Sequence, residues 1–153
     1  MIVWEGFGNI LEDKGSTQLC PINAMGAMGA GLALTMRKAY RDLHARYRDI
    51  YHPDFSPLKN AYARASLLTV VNVHDVSILL FCTKVHWQEP SPRKLVEGNL
   101  QRLVQQWEEL GIKQLATPLI GSGKGKLPES DVRELLHEYL GPIELPVRIY
   151  LGT

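Results

Sequence analysis

The stretch that decides the fold is Cys20-Pro-Ile-Asn-Ala-Met-Gly-Ala-Met-Gly-Ala-Gly-Leu-Ala, residues 20–33. An apolar segment, Gln18–Ile22, leads into three glycines within six positions, and good helix formers follow from Leu32. This order predicts a strand that ends in a glycine loop from which a helix begins. Because glycine lets the backbone approach a ligand and the amino end of a helix attracts negative charge, the stretch predicts an anion-binding loop.

A second stretch, Ala116-Thr-Pro-Leu-Ile-Gly-Ser-Gly-Lys-Gly-Lys-Leu at residues 116–127, has the same arrangement. Its predicted strand is Gln114–Ile120, its glycine loop is Gly121–Lys126, and a helix opens at Pro128. Ligands of open α/β sheets bind outside the carboxyl ends of the strands. Two such loops at one sheet edge therefore favour a diphosphate with a sugar on each side. Their glycine and lysine spacings fit neither the P-loop nor the dinucleotide-binding fingerprint.

The remaining apolar segments complete an α/β pattern. Four further strands are predicted, at Met1–Trp4, Ser66–Val73, Val76–Cys82 and Pro146–Leu151. We expect helical structure from Leu32 toward Pro53, an irregular stretch over residues 53–65, and a helix capped by Ser91. The apolar stripe of that last helix is Val96, Leu100, Leu103, Trp107 and Leu110. The fold class is therefore α/β, a three-layer α/β/α sandwich with a mixed, mostly parallel six-stranded sheet.

Composition bounds the function without identifying it. The chain has 153 residues, 45% of them hydrophobic, and 17 basic against 16 acidic residues give a net charge of +1. This balance argues against nucleic-acid binding by bulk charge, although residues 37–48 form a local basic strip. Cys20 and Cys82 lie in apolar runs and are expected to be reduced core residues. The histidines show no metal-ligand spacing. We expect one domain over residues 1–153, a cytoplasmic monomer without metal, cofactor or membrane contact.

Four segments, in the same order along the chain, resemble the ligand-binding motifs of macrodomains, a family that binds ADP-ribose. They are Gly6–Leu11, Asn23–Leu34, Phe81–Trp87 and Leu119–Leu127. The Met-Gly-Ala-Gly-Leu-Ala form in the second segment and the Thr-Lys-Val-His-Trp form in the third are similar to one subgroup. That subgroup includes the terminal ADP-ribose protein glycohydrolases and the DarG-type antitoxins, which remove ADP-ribose from DNA. The resemblance implies a macrodomain-like fold over nearly the whole chain.

The resemblance also implies a set of ligand contacts. Asn9 and Ile10 border the adenine, Asn23 bonds the hydroxyls of the distal ribose, and Thr83 lies beside the ligand. The two glycine loops wrap the diphosphate and the distal ribose, and the residues implied are Ala27, Met28, Gly29, Ala30, Gly31, Ile120, Gly121, Ser122, Gly123, Lys124 and Gly125. On residue type alone, Asn9 and Asn23 equally suit turn-capping roles, and Met28 suits the core.

Lys84 is the residue to which the resemblance assigns catalysis, close to the anomeric carbon of the distal ribose. A lysine at a strand end inside a pocket is partly desolvated, which lowers its pKa and makes it usable as a nucleophile or base. Stabilising charge as the glycosidic bond breaks is the other role open to it. Gly125 departs from the protein-directed members of the subgroup, which carry an aspartate at this place, and resembles the DNA-directed members.

The sequence therefore predicts a hydrolase that removes ADP-ribose from a macromolecule, with a DNA base ahead of a protein carboxylate. Two alternatives stay open: a phosphatase acting on ADP-ribose 1″-phosphate, and a reader that binds ADP-ribose without turnover. The expected partner is ADP-ribose or an ADP-ribosylated macromolecule, with single-stranded nucleic acid as a further candidate. Lys124, Lys126 and the strip at residues 37–48 suit phosphate contacts, and His86 or Trp87 suits base stacking.

Overall fold

The computed structural model describes residues 2–6 and 8–151, so Met1 of the first predicted strand and Phe7 of the Gly6–Leu11 motif lie outside the described residues. Within this part of the chain the strands are β1 (Ile2–Glu5), β2 (Thr17–Asn23), β3 (Thr69–Val73), β4 (Val76–Lys84), β5 (Leu115–Pro118) and β6 (Val147–Tyr150). The helices are α1 (Gly31–Ala39), α2 (Leu43–Tyr51), α3 (Ala61–Ala65), α4 (Arg93–Gln106) and α5 (Glu129–Leu140).

The strands form one sheet in the order β1-β6-β5-β2-β4-β3. Across the described residues the β3–β4 pair is antiparallel, and the other neighbouring pairs are parallel. His74 and Asp75 join β3 to β4 with φ angles of 50° and 64°, the left-handed conformation that a tight hairpin turn needs. The prediction of a mixed, mostly parallel six-stranded sheet is confirmed.

Helices cover both faces of this sheet, because its central strands are buried on both sides. Successive residues of β4 alternate between two apolar clusters: Leu79 and Phe81 join the side chains of α4 and α5, whereas Leu80 and Cys82 join those of α1 and α2. Cys20 and Cys82 are free and fully buried, and burial raises the pKa of Cys20 to about 12. The three-layer arrangement and the core cysteines are therefore as predicted.

The helical region predicted from Leu32 toward Pro53 consists of two helices. The first ends at Ala39, and Tyr40 then takes an extended conformation with φ −119° and ψ 98°. The buried Tyr40 hydroxyl donates to Gln18 Oε1 at 2.8 Å and so ties the break to β2.

Two expectations need correction. The stretch at residues 53–65 is not wholly irregular: α3 lies there, and the Asn60 side chain caps it by accepting from Tyr62 N and Ala63 N. Ser91 does not cap α4, whose cap position is Pro92. Instead Ser91 N donates to Gly125 O at 2.8 Å, which places this serine behind the second glycine loop. No helix in the described ranges is both long and apolar enough to span a bilayer.

Candidate functional site

A cleft of about 760 Å³ opens at the carboxyl edge of β2, β4 and β5. Residues 23–31 (the first loop) and residues 121–126 (the second loop) form facing walls, and residues 85–90 (the rim segment) contribute its edge. This volume lies in the range of small-molecule sites, and the position at the carboxyl ends of parallel strands is where open α/β sheets bind ligands. The cleft is therefore the candidate site.

Most residues that the sequence nominated for a site line this cleft. They are Asn23, Ala27, Met28, Gly29, Ala30, Gly31, Thr83, Lys84, Gly121, Ser122, Gly123, Lys124 and Gly125. The chain thus brings together two loops that are about a hundred residues apart in sequence. Met28 is at once a cleft-lining residue and a core residue, since its side chain is almost fully buried against the α1–α2 cluster.

Three nominated residues lie outside the cleft lining. Ile10 and Ile120 are buried in the core. Asn9 lines a smaller neighbouring depression of about 340 Å³, and Tyr150 borders both spaces. The Asn9 side chain accepts from Leu11 N at 3.0 Å and thereby starts a 3-10 turn. The depression and the cleft thus share the lining residue Tyr150.

Asn23 shapes the first loop from its base. Its Oδ1 accepts from Met25 N at 3.0 Å and from Ala27 N at 3.3 Å, while its Nδ2 donates to Ala27 O at 2.9 Å. The buried Tyr47 hydroxyl donates to Asn23 O at 2.6 Å and accepts from Gly26 N at 3.1 Å. One of the two Nδ2 hydrogens is used inside the loop. The turn-capping role of Asn23 is thus present in the structure, on the wall of the cleft.

Side chains from α2 and α3 hold the outer side of the first loop. Arg64, almost fully buried, donates from Nε to Ala24 O at 3.0 Å. His44 Nε2 lies 3.1 Å from Gly26 O. Gly26 has φ 84°, and a Cβ there would come within 2.6 Å of the His52 ring, so the position requires glycine. The loop is therefore braced by residues that lie far away in sequence.

The second loop is held mainly by its own backbone. Leu127 N donates to Gly121 O at 2.8 Å, and Ser91 N donates to Gly125 O at 2.8 Å. A Cβ at Gly125 would lie 2.5 Å from Gly121 O and would also overlap Ser91 Oγ. The Ser122 hydroxyl donates to Leu119 O at 2.7 Å. This backbone has no room for a side chain at position 125, and hence none for a carboxylate there.

Lys84 ends β4 and lies opposite Asn23 in the sheet register, where the pairing becomes irregular after Ile22. Its side chain is partly buried in the cleft, and Nζ donates to Trp87 O at 3.4 Å. Trp87 itself is 53% exposed at the rim. The strand end thus presents an amino group in the cleft, with the backbone carbonyl of Trp87 beside it.

Burial and three charged residues together set the pKa of Lys84. Burial lowers the pKa of Lys84, the Glu89 carboxylate acts in the opposite direction, and the positive charges of Lys124 and Lys126 lower it further. The net pKa lies below the ordinary value of a lysine. Lys84 is therefore a stronger acid, and a better source of neutral amine, than a solvent-exposed lysine.

The sequence reasoning missed several residues that line the cleft, of which Glu89 is the most consequential. Glu89 Oε1 accepts from His86 N at 3.0 Å, which holds the carboxylate on the rim segment near Lys84. Glu129 and Tyr150 also line the cleft. Glu89 belongs to no motif, and its only signal was a position five residues after Lys84. Across the described ranges, no cluster of three His, Cys, Asp or Glu could hold a metal ion.

Comparison with known proteins adds to this geometry. The family model described as Macro domain matches residues 20–136. A DNA ADP-ribosyl transferase–DNA ADP-ribosyl glycohydrolase fusion protein of Thermosipho africanus is 31% identical over 157 residues, covering 94% of this chain and 40% of the relative. A DNA ADP-ribosyl glycohydrolase of Thermus aquaticus is 29% identical, covering 90% of this chain and 37% of the relative. The chain thus spans about two fifths of the length of these relatives.

Solved structures show the same similarity. Thermosipho africanus DarTG in complex with ADP-ribose has a TM-score of 0.82 and 29% identity, covering 95% of this chain and 40% of that one. The macrodomain of Mycobacterium tuberculosis DarG also has a TM-score of 0.82, with 25% identity and coverage of 100% of this chain and 99% of that chain. The match therefore extends over the whole sheet and both glycine loops.

Proposed function

The chain belongs to the macrodomain family, and we propose that it is a hydrolase that removes ADP-ribose from a macromolecule, with a base of DNA as the favoured acceptor. The observation that carries this proposal is the Lys84 amino group, partly buried in the cleft between two glycine loops. The names of the relatives, DNA ADP-ribosyl glycohydrolases, support DNA as the acceptor.

In the proposed complex, ADP-ribose lies along the cleft with its distal ribose at Lys84. Backbone N–H groups of the two loops surround the diphosphate, because glycines leave the backbone open to it. Asn23 lines the wall next to the distal ribose, where its remaining Nδ2 hydrogen is available to a hydroxyl. The adenine extends past Tyr150 toward the depression beside Asn9. This orientation places the C1″ carbon, which carries the base, near the Lys84 end.

Lys84 acts on the bond between C1″ and the base. As this bond breaks, its electron pair moves to the base and positive charge develops on the ribose ring. The Lys84 ammonium donates a proton to the departing base, a role that its lowered pKa favours because it makes the ammonium a stronger acid. The base leaves unmodified, and the C1″ carbon is open to attack by water.

Glu89 accepts the proton of the attacking water in this scheme. The backbone at Gly125 excludes a carboxylate there, whereas Glu89 lines the same cleft as Lys84. The water oxygen bonds to C1″, its proton goes to Glu89, and the products are free ADP-ribose and an intact base. Transfer of that proton from Glu89 back to neutral Lys84 restores both groups. The two residues thus act as an acid and base pair.

The test compares three substrates: a thymidine oligonucleotide carrying ADP-ribose, an ADP-ribosylated protein, and ADP-ribose 1″-phosphate. We expect release of ADP-ribose from the oligonucleotide, and about a 100-fold or greater loss of kcat in Lys84→Ala and in Glu89→Gln. The exposed Lys113 provides the matched control, since Lys113→Ala removes a lysine that lies outside the cleft lining. Calorimetric binding of ADP-ribose verifies that each variant keeps an intact site.

Other outcomes would overturn the proposal. Turnover of ADP-ribose 1″-phosphate alone would make the protein a phosphatase, and ADP-ribose binding without any turnover would make it a reader. Full activity in Lys84→Ala would remove the catalytic assignment. Reduction with cyanoborohydride during turnover tests the water route: an ADP-ribosyl group trapped on Lys84 would show that the amine, rather than water, attacks C1″.

A further inference from the structure

We propose that the surface formed by Arg37, His44, Arg48, His52 and Phe55 (the α2 face) binds the single-stranded nucleic acid that flanks the modified base. The proposal rests on the proposed function, because it concerns how the acceptor strand continues beyond the cleft. It goes further in assigning a second contact region, outside the residues that line the cleft.

The charge of the chain is strongly uneven. Residues 37–64 contain seven Lys or Arg and three Asp or Glu, a net charge of +4, whereas the whole chain carries +1. The remainder of the sequence therefore carries −3. A neutral protein with its positive charge gathered on one segment attracts a polyanion to that segment rather than to its whole surface.

Six of these seven basic side chains are exposed and free of carboxylate partners, although Arg46 donates to Asn72 O and Lys59 Nζ donates to Pro53 O at 3.4 Å. The exposed ones are Arg37, Lys38, Arg41, Arg46, Arg48 and Lys59. In the part of the chain that the structure describes, the ion pairs within 4.0 Å involve other residues and leave these six without a carboxylate partner. A basic residue that already neutralises a carboxylate contributes little to phosphate binding, so this freedom matters for affinity.

An exposed aromatic ring lies among these charges. The Phe55 side chain is 56% exposed, although a phenylalanine gains stability from burial. Arg48 Cζ lies 5.4 Å from the centre of its ring, and the His52 ring lies 4.9 Å away at a tilt of 41°. An accessible ring beside a guanidinium is the arrangement on which unpaired bases stack. An acidic peptide would use the charges of the α2 face but would leave the ring unused.

The α2 face adjoins the cleft through the first loop. The His52 ring packs directly on Gly26, and His44 Nε2 lies 3.1 Å from Gly26 O. The next residue, Ala27, lines the cleft. Burial lowers the pKa of His44, the bond to Gly26 O opposes this, and the charges of nearby Arg37 and Arg48 lower it further. A strand whose modified base enters the cleft therefore reaches Phe55 by crossing one loop.

Both proposed contacts, the stacking of a base on Phe55 and the reaction of the modified base at Lys84, require a single strand. A base can stack on Phe55 only when it is unpaired, and a base that reacts at Lys84 must already have left the duplex. Double-stranded DNA would offer phosphates to the basic residues but no free base to the ring. The α2 face therefore suits a strand whose bases are unpaired between the modified position and Phe55.

The experiment uses two substrates with the same modified base, an ADP-ribosylated thymidine nucleoside and an ADP-ribosylated single-stranded oligonucleotide. In Phe55→Ala and Arg48→Ala we expect KM for the oligonucleotide to rise about fivefold or more, with kcat unchanged. Neither variant should change kcat/KM for the nucleoside, because the nucleoside occupies only the cleft and does not reach the α2 face. Phe55→Trp keeps a stacking surface and should retain the affinity of the wild type.

Lys113 offers a control for the loss of one positive charge, because it is exposed and lies outside both the cleft lining and the α2 face. Lys113→Ala should leave both substrates unaffected. Arg48→Ala should also reduce the slope of log K against log salt concentration for oligonucleotide binding by about 0.7. Both tested side chains are exposed, so folding should be preserved.

Several results would overturn the assignment: unchanged oligonucleotide KM in both variants, an equal loss on nucleoside and oligonucleotide, or a stronger effect on an acidic peptide than on the oligonucleotide. If the wild type cleaves neither substrate, the proposed function fails. Fluorescence anisotropy with an unmodified labelled oligonucleotide then still tests whether the α2 face binds a single strand. The same variants should weaken the binding of this oligonucleotide about fivefold or more.

Discussion

The first and second loops look alike in sequence, yet the structure holds them in different ways. The first depends on polar side chains from distant elements, above all the Tyr47 hydroxyl and the Arg64 guanidinium. The second depends on backbone hydrogen bonds, one of them from Ser91 N to Gly125 O, and on Gly121 and Gly125, where a Cβ would meet neighbouring atoms. A glycine loop can therefore be fragile at its glycines or at residues far from it, and sequence similarity between loops does not say which.

Gly125→Ala should break the second loop more severely than any single side-chain change breaks the first. The new Cβ would lie 2.5 Å from Gly121 O, a backbone atom that has little freedom to move. We expect a loss of about 3 kcal/mol in the free energy of unfolding, measured by urea denaturation, together with weaker ADP-ribose binding.

Gly123→Ala is the matched control in the same loop, because nothing lies within 4 Å of a Cβ at that position. It should unfold at the wild-type urea concentration. If Gly125→Ala were as stable as Gly123→Ala, the second loop would be adaptable, and the steric reason for excluding a carboxylate at position 125 would fail.

Tyr47→Phe should weaken the first loop from a distance of some twenty residues in sequence. The change removes a buried hydroxyl that donates to Asn23 O and accepts from Gly26 N, and leaves both backbone groups without this partner. The expected cost is about 1–3 kcal/mol of unfolding free energy. Differential scanning calorimetry measures it, with Tyr62→Phe as the control, because Tyr62 is 75% exposed. Equal stability of the two variants would contradict the bracing role of Tyr47.

The contrast between the loops explains which features could be predicted. Both loops and their flanking strands and helices follow from local patterns of glycine, apolar runs and helix formers, so the sequence located them. The break after Ala39 could not be found in this way, because the contact between Tyr40 and Gln18 that accompanies it joins residues far apart in sequence. That contact exists only in the folded chain.

The same reasoning applies to the candidate site. Lys84 was found because it stands at a strand end within a motif, whereas Glu89 lies in the rim segment, which has no periodic pattern. Ser91 precedes a proline and has the local signature of a helix cap, yet its backbone N–H serves Gly125 instead. Residues whose roles come from tertiary contacts carry no local signal, and an accurate fold prediction does not identify them.

The smallest expected effect concerns how the second loop and the rim segment act on Lys84 through charge. Glu89 raises the pKa of Lys84, so Glu89→Gln should lower it and move the alkaline limb of kcat/KM to lower pH. Lys124 and Lys126 lower the pKa of Lys84, so Lys124→Ala and Lys126→Ala should move that limb to higher pH. The limb falls with rising pH because the proposed mechanism requires the ammonium form.

The first loop supplies the matched control for this titration, because the charges that act on Lys84 come from the rim segment and the second loop. Gly29→Ala, a change in the first loop with open space around its Cβ, should leave the position of the alkaline limb unchanged. An activity that rises through the Lys84 titration would mean that the neutral amine is the reactive form. Opposite shifts in Glu89→Gln and Lys124→Ala, with no shift in Gly29→Ala, would establish that charges of the rim segment and the second loop set the pKa of Lys84, while the first loop contributes shape.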